Sequence, residues 1–216
     1  MPPISRSRAV RERRDEVARR VLEAVHRLVA DGTPYTELPV QRIAETAGVP
    51  RSTFYLHFPD KSRLLIALAE QGGQGMFASA VAWWRSDHST GPEGVAEAIA
   101  RMIAEYRANR WVLLAVSEVS AYDPDVAAYY QARLDRFTDL TRARLDEERR
   151  AGTVGHGLDS PTTAALLTWM VERTISMHCR DDDTGGDEQV ARSLGRAIWL
   201  TVYGDSPHGS PGLSGL

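Results

Sequence analysis

Cysteine is almost absent from this chain. Cys179 stands alone among 216 residues, which excludes an internal disulfide and leaves no cysteine cluster for a structural zinc site. Long apolar runs are missing too. No stretch approaches the length of a membrane span, and the charged N-terminus is not followed by the apolar core of a secretory signal, so no membrane association and a cytoplasmic location are expected. The two-residue alternation of strands appears nowhere, so the class expected is all-α. Catalytic patterns are equally scarce. There is no phosphate loop and no nucleophile elbow, and His26, His88, His156 and His208 are isolated in sequence. His178, Cys179 and Asp181 mix ligand types, but neighbours on a helix diverge by about 100° and cannot share one ion without help from elsewhere. No enzyme activity, no cofactor and no metal site is therefore expected.

What is present is ordinary globular material, 43% hydrophobic and 25% charged, long enough for one large or two small domains. The net charge of −3 is unevenly spread. Through Arg63 there are 12 basic against 8 acidic residues, hence +4, and the remainder carries 14 against 21, hence −7. A polyanion would meet the first end and be repelled by the other.

The basic end holds the most informative stretch, Ile43 to Lys61, IAETAGVPRSTFYLHFPDK. Ile43, Ala44 and Ala47 form an apolar stripe, and Gly48 follows where a helix end needs a residue that tolerates positive φ. Val49 can plug the corner. Phe54 and Phe58, four apart, give a second short helix its buried face, and Pro59 stops it. Opposite that pair lie Ser52 and Leu56, bordered by Arg51 and Tyr55 on one side and Thr53 on the other. Two short helices across a glycine turn, the second with an outward polar and aromatic face, are the pattern of a helix-turn-helix that reads a major groove. Arg51 suits guanine O6 and N7, Ser52 and Thr53 can bond either base type, and Leu56 or Tyr55 can meet a thymine methyl. Tyr55, His57 and Lys61 are also placed for phosphates.

The run A-G-V-P-R-S-T-F-Y-L-H-F-P-D-K resembles the signature of the tetracycline-repressor (TetR) family over about fifteen positions. It departs at Pro50, where the family often has a Ser or Thr cap, a loss of about 1 kcal/mol. The resemblance implies a double-stranded DNA operator as partner, outward Gln41 and Arg42 with Gln41 reaching a base or phosphate, and an N-terminal arm, residues 1–9 with Arg6 and Arg8. For the arm, a plain free terminus stays an open alternative.

Along the chain, Val17, Val21, Val25 and Leu28 predict one amphipathic helix over about 13–30, completing a three-helix head over residues 1–60. Residues 61–204 are expected to form a helical body, and 205–216 a disordered tail, for about nine helices in all. A long helix from Lys61 to Arg85, with Leu64, Leu65, Leu68, Phe77, Val81 and Trp84 on its stripe, is interrupted by Gly72, Gly73 and Gly75. Each glycine there costs roughly 1 kcal/mol against alanine. Two readings stand: a hinge, or close helix packing. Further helices are read over 92–107, 111–119 with Asn109 as cap, 124–150 after Asp123-Pro124 and before Gly152, 161–179, and 188–203.

The body carries a second resemblance. D-E-E-R-R-A-G (146–152), M-V-E-R-T (170–174) and I-W-L-T-V-Y-G (198–204) are similar to stretches of the mycobacterial ethionamide-resistance repressors within the TetR family. The resemblance implies a homodimer through the last two helices and a long apolar channel for a small hydrophobic effector, released from DNA when occupied. In those relatives a pair of asparagines anchors the ligand; here Thr168 and Val171 stand just before E-R-T, which makes the expected pocket more apolar. Candidate lining residues are Met102, Tyr106, Trp111, Phe137, Thr141, Thr168, Trp169, Met170 and Trp199; plain core packing is the open alternative. In the last helix, Val190, Leu194, Ile198 and Thr201 form one stripe and Gly195, Trp199 and Tyr203 another, one expected to face the body and one the outside. The reading that emerges is a ligand-responsive, dimeric DNA-binding regulator, a repressor; the alternative is a helical ligand-binding or metal-responsive protein that does not read specific DNA.

Overall fold

A computed structural model of the chain describes residues 4–72, 74–86, 90–155, 157–181 and 183–204. Among these every regular element is helical. Gly73, His88, His156, His208, residues 1–3 of the expected arm and the tail 205–216 lie outside the described residues, as do the side chains of Arg6, Arg8 and Phe77.

The described chain forms two compact units: residues up to Gln71 together with Trp111–Tyr130, and Gly72–Arg110 together with the residues from Gln131 onward. In the first, α1 (Ile4–Ala30) is longer than the amphipathic stripe, because no breaker stands between Ser5 and Glu12; residues 4–9 are helix rather than a free arm. Val21, Val25 and Leu28 are buried on its inner face. A 3-10 turn (Tyr35–Glu37) leads to α2 (Val40–Ala47) and α3 (Arg51–His57). Pro39 and Pro50 precede these helices without a side-chain cap. Gly48 closes α2 at φ 64°, Val49 fills the corner, and Phe54 and Phe58 are buried below it.

Over the expected rod at 61–85, helix is described on both sides of Gly73, as α4 (Lys61–Gly72) and α5 (Gln74–Trp84). A Cβ on Gly72 would lie 2.5 Å from Asn109 Oδ1, and one on Gly75 2.4 Å from the Glu105 carboxylate. These glycines therefore also serve close packing against α6 (Gly91–Ala108). With the helices on either side of Gly73 counted separately, the described residues hold ten α-helices, against about nine expected.

Asn109 closes α6 instead of opening the next helix: its Nδ2 donates to Glu105 O at 2.9 Å, because Arg110 follows with no break in which a cap could turn. Then come α7 (Arg110–Val119), α8 (Pro124–Ala151), α9 (Ser160–His178) and α10 (Asp187–Tyr203). Asp123 caps α8 by accepting from Asp125 N and Val126 N, and Gly152 stops it at φ 75°. Asp159, one residue before the Ser-Pro pair, caps α9 through Thr162 N at 3.0 Å.

In the second unit α10 lies tightly on α6. A Cβ at Gly195 would sit 2.7 Å from Ala96 N and 2.8 Å from Ala96 Cα, so only glycine permits this approach. The two stripes expected on α10 merge into one inner face: Leu194, Gly195, Ile198, Val202 and Tyr203 are all buried, while Thr201 and Leu200 are exposed. The reason is their angular closeness, since residues three and four apart share a face.

Candidate nucleic-acid interface

The geometry of the reading head begins with what braces its turn. The C-terminus of α2 leaves carbonyls without helical partners. Arg20 on α1 supplies them, donating from Nη2 to Ala47 O at 2.6 Å and Gly48 O at 2.8 Å, and Arg27, two turns on, donates to Thr46 O at 3.3 Å. Cations at that end also offset the negative pole of the helix. Their spacing of seven puts both on one face of α1, a signal present in the sequence but silent until the turn is placed beside it.

With Phe54 and Phe58 inside, α3 turns Arg51, Ser52, Tyr55 and Leu56 outward. Leu56 is 75% exposed, which no packing role explains in this chain. Thr53 and His57 are half-buried at the edges of this face. Arg51 Nη2 donates to Tyr55 Oη at 3.2 Å, with the guanidinium carbon 5.5 Å from the Tyr55 ring centre. Gln41 and Arg42 are exposed on α2; Gln41 Nε2 donates to Glu45 Oε1 at 2.9 Å, and Arg42 Nη1 lies 3.5 Å from Thr33 Oγ1.

Lys61 stands apart from that face. Its ammonium donates to Thr36 O at 2.9 Å and lies 5.0 Å from the Tyr35 ring centre, while Tyr35 Oη donates back to Lys61 O at 2.6 Å. Desolvation holds the lysine below its usual range, and burial lifts the Tyr35 phenol well above its own. The pair locks the entry of α4 to the 3-10 turn.

Sequence periodicity did not show that residues 111–130 complete this unit. The Trp111 ring stands 5.1 Å from His26 and 6.3 Å from Tyr35, centre to centre. Ser62 Oγ donates to Asp123 Oδ2 at 2.5 Å, and Arg63 Nη2 to Asp125 Oδ2 at 2.9 Å. Within its own unit Trp111 therefore packs beside the three-helix head.

Of those others, Met102, Tyr106 and Thr168 are buried, Phe137, Thr141, Met170 and Trp199 are half-buried, and Trp169 is 48% exposed on α9. Trp169 is thus an outer residue, sharing its face with Leu166 and Met177. Burial pushes the Tyr106 phenol up to about 12. Thr168 Oγ1 is buried without a hydrogen-bond partner among the described residues, an uncommon state for a hydroxyl. At the far end of α9, Arg107 holds the Asp187 carboxylate with two nitrogens at 2.8 and 2.6 Å and donates to Asp181 O and Asp183 O. His178 Nε2 meets the same carboxylate at 2.7 Å, and Arg107 first, then His178, holds Asp187 below its usual range.

A short helix with an exposed reading face, carried across a braced glycine turn and followed by a separate helical unit, is the build of a helix-turn-helix transcriptional regulator. Residues 22–68 match the family described as bacterial regulatory proteins, tetR family, and residues 95–204 match the C-terminal domain of the transcriptional regulator EthR. The chain belongs to the tetR family, in its EthR-like branch. It is 25% identical over 208 residues to the HTH-type transcriptional regulator EthR of Mycolicibacterium smegmatis, covering 94% of each chain. The fold is also that of two solved structures. FadR from Bacillus subtilis, in complex with stearoyl-CoA, gives a TM-score of 0.64 at 19% identity, covering 84% of this chain and 97% of that one. NalD, the secondary repressor of the MexAB-OprM multidrug efflux pump in Pseudomonas aeruginosa, gives 0.67 at 14% identity over 88% and 99%. No described helix is long and apolar enough to cross a membrane.

Proposed function

We propose that this regulator is a cytoplasmic homodimeric repressor that binds a palindromic operator and leaves it when a small hydrophobic effector occupies the helical body. The observation that carries the proposal is the outward face of α3, where Leu56, Tyr55, Arg51 and Ser52 stand exposed together with no intramolecular burial to account for them. In this reading Arg51, Ser52, Thr53 and Leu56 meet base edges, while Gln41, Arg42, Tyr55 and His57 serve phosphates or the edges beside them, and Lys61, bonded to Thr36 O, braces the head instead. The functional division is a DNA-binding domain over 1–60 and a ligand-binding and dimerisation domain over 61–204. One short helix reads few base pairs, so two copies on two half-sites are required. Leu166, Trp169 and Met177 on α9, with Leu200 on α10, are exposed apolar side chains that a second copy would cover.

For the effector, Thr168 supports a site with one polar anchor in apolar surroundings, its unpartnered hydroxyl available to a ligand. The stearoyl-CoA bound by FadR makes a long acyl chain a fitting first probe. Release requires the effector to bind the DNA-incompetent state more tightly, by about 1 to 3 kcal/mol for ordinary coupling. The test is selection from random duplexes across a salt series. A palindrome with two equal half-sites, and affinity falling steeply with salt, is the expected outcome; weak binding blind to sequence overturns the reading.

A further inference from the structure

We infer that Tyr55 is a positioning residue for base readout: it holds the Arg51 guanidinium on the outer face of α3 and ties that reader to the DNA backbone. The inference rests on the operator-binding reading above. Its observations are the 3.2 Å bond from Arg51 Nη2 to Tyr55 Oη and the 5.5 Å approach of the guanidinium carbon to the ring centre, between two exposed side chains one helical turn apart.

A free arginine on a helix surface samples many rotamers, and fixing it on a base edge forfeits that freedom. Here the phenol fixes part of it beforehand. The guanidinium has five N–H donors, and one spent on Tyr55 leaves enough for the two-pronged contact with guanine O6 and N7. The accepting phenol keeps its own O–H. That O–H is free to donate to a phosphate oxygen, and a phenol that donates is polarised into a better acceptor for Arg51. Tyr55 therefore links a backbone contact to a base contact, so that Arg51 is already placed when the helix meets the groove. Ser52 and Leu56, on the same face, have no such tether among the described contacts.

The experiment is a double-mutant cycle on the selected operator, using the full dimeric protein with Arg51→Ala, Tyr55→Phe and the pair. Binding is measured to the operator and to duplexes changed at each half-site position in turn. Arg51→Ala is expected to abolish preference at one G·C pair, about 10- to 100-fold. Tyr55→Phe keeps the ring and loses the hydroxyl; it is expected to reduce preference at that same pair about 3- to 10-fold and to leave preference elsewhere unchanged. In the Arg51→Ala background the same change should alter no base preference and only lower affinity evenly. If Tyr55→Phe lowers affinity equally for every duplex, additively with Arg51→Ala, then Tyr55 is a phosphate contact alone and the inference fails while the operator reading stands. A wild-type protein that selects no sequence overturns the operator reading and this inference with it.

Discussion

Gly48 answers to two demands at once. Its φ of 64° belongs to the left-handed region, and a Cβ there would come 2.6 Å from Arg20 Nη2, the group that satisfies the α2 carbonyls. Gly48→Ala should cost about 1 to 2 kcal/mol from the backbone term alone, with more from displacing Arg20, read as a lower urea midpoint. Arg20→Ala should weaken the same turn while leaving α3's reading face chemically intact, so operator affinity falls with base preference preserved. Gly48 was legible from its place after an apolar stripe. Arg20 was not, because a surface arginine looks the same in sequence whether it faces water or a carbonyl. Pro50 was read correctly as a position without a side-chain cap. Thr168 makes a complementary case: Thr168→Val replaces the buried hydroxyl by a methyl of similar size, so stability should hold or rise slightly while effector affinity drops, measured by titration calorimetry with a long-chain acyl probe.

Among elements, the α6–α10 pair sets the tolerance of the body. Ala96 backbone atoms oppose Gly195 and cannot move aside as a flexible side chain would. Gly195→Ala should therefore push the helices apart and cost about 1 to 3 kcal/mol, checked by thermal unfolding. The start of α8 responds to acid. Ser62 first, then the backbone N–H of Val126, holds the Asp123 carboxyl below its ordinary value. A carboxyl depressed on folding stabilises above its unfolded pKa of about 4, and that stabilisation is lost as pH falls through the folded value. Asp123→Ala should lower stability at neutral pH and flatten the acid limb of the unfolding profile. Most helix ends in this chain were legible, since Gly152 and Asp123-Pro124 announce themselves chemically. The identity of packing partners was not. Periodicity says that a face is buried, not which element buries it, which is why the single inner face of α10 and the contact of Trp111 with His26 and Tyr35 are not visible in sequence.

For the whole molecule, the proposed dimer is tested on the exposed apolar set of α9 and α10. Replacing Trp169 and Leu200 by arginine should yield monomers in sedimentation and lose operator binding, while the fold by circular dichroism stays helical; persistence of the dimer would place the interface elsewhere. The all-helical class and the reading head were plain from sequence because each rests on local chemistry within about twenty residues. The division into compact units was not, because it depends on which distant segments meet.

The bonds from Ser62 to Asp123 and from Arg63 to Asp125 join residues 61 and 62 apart in sequence, and Trp111 reaches back to His26 and Tyr35. During synthesis the chain emerges N-terminus first. The helices of the reading head are thus made early but stay without their last supports until residue 125 has emerged from the ribosome. A nascent chain stopped after α4 would carry every side chain proposed to read bases and still be an unfinished head, so binding competence should appear late in translation.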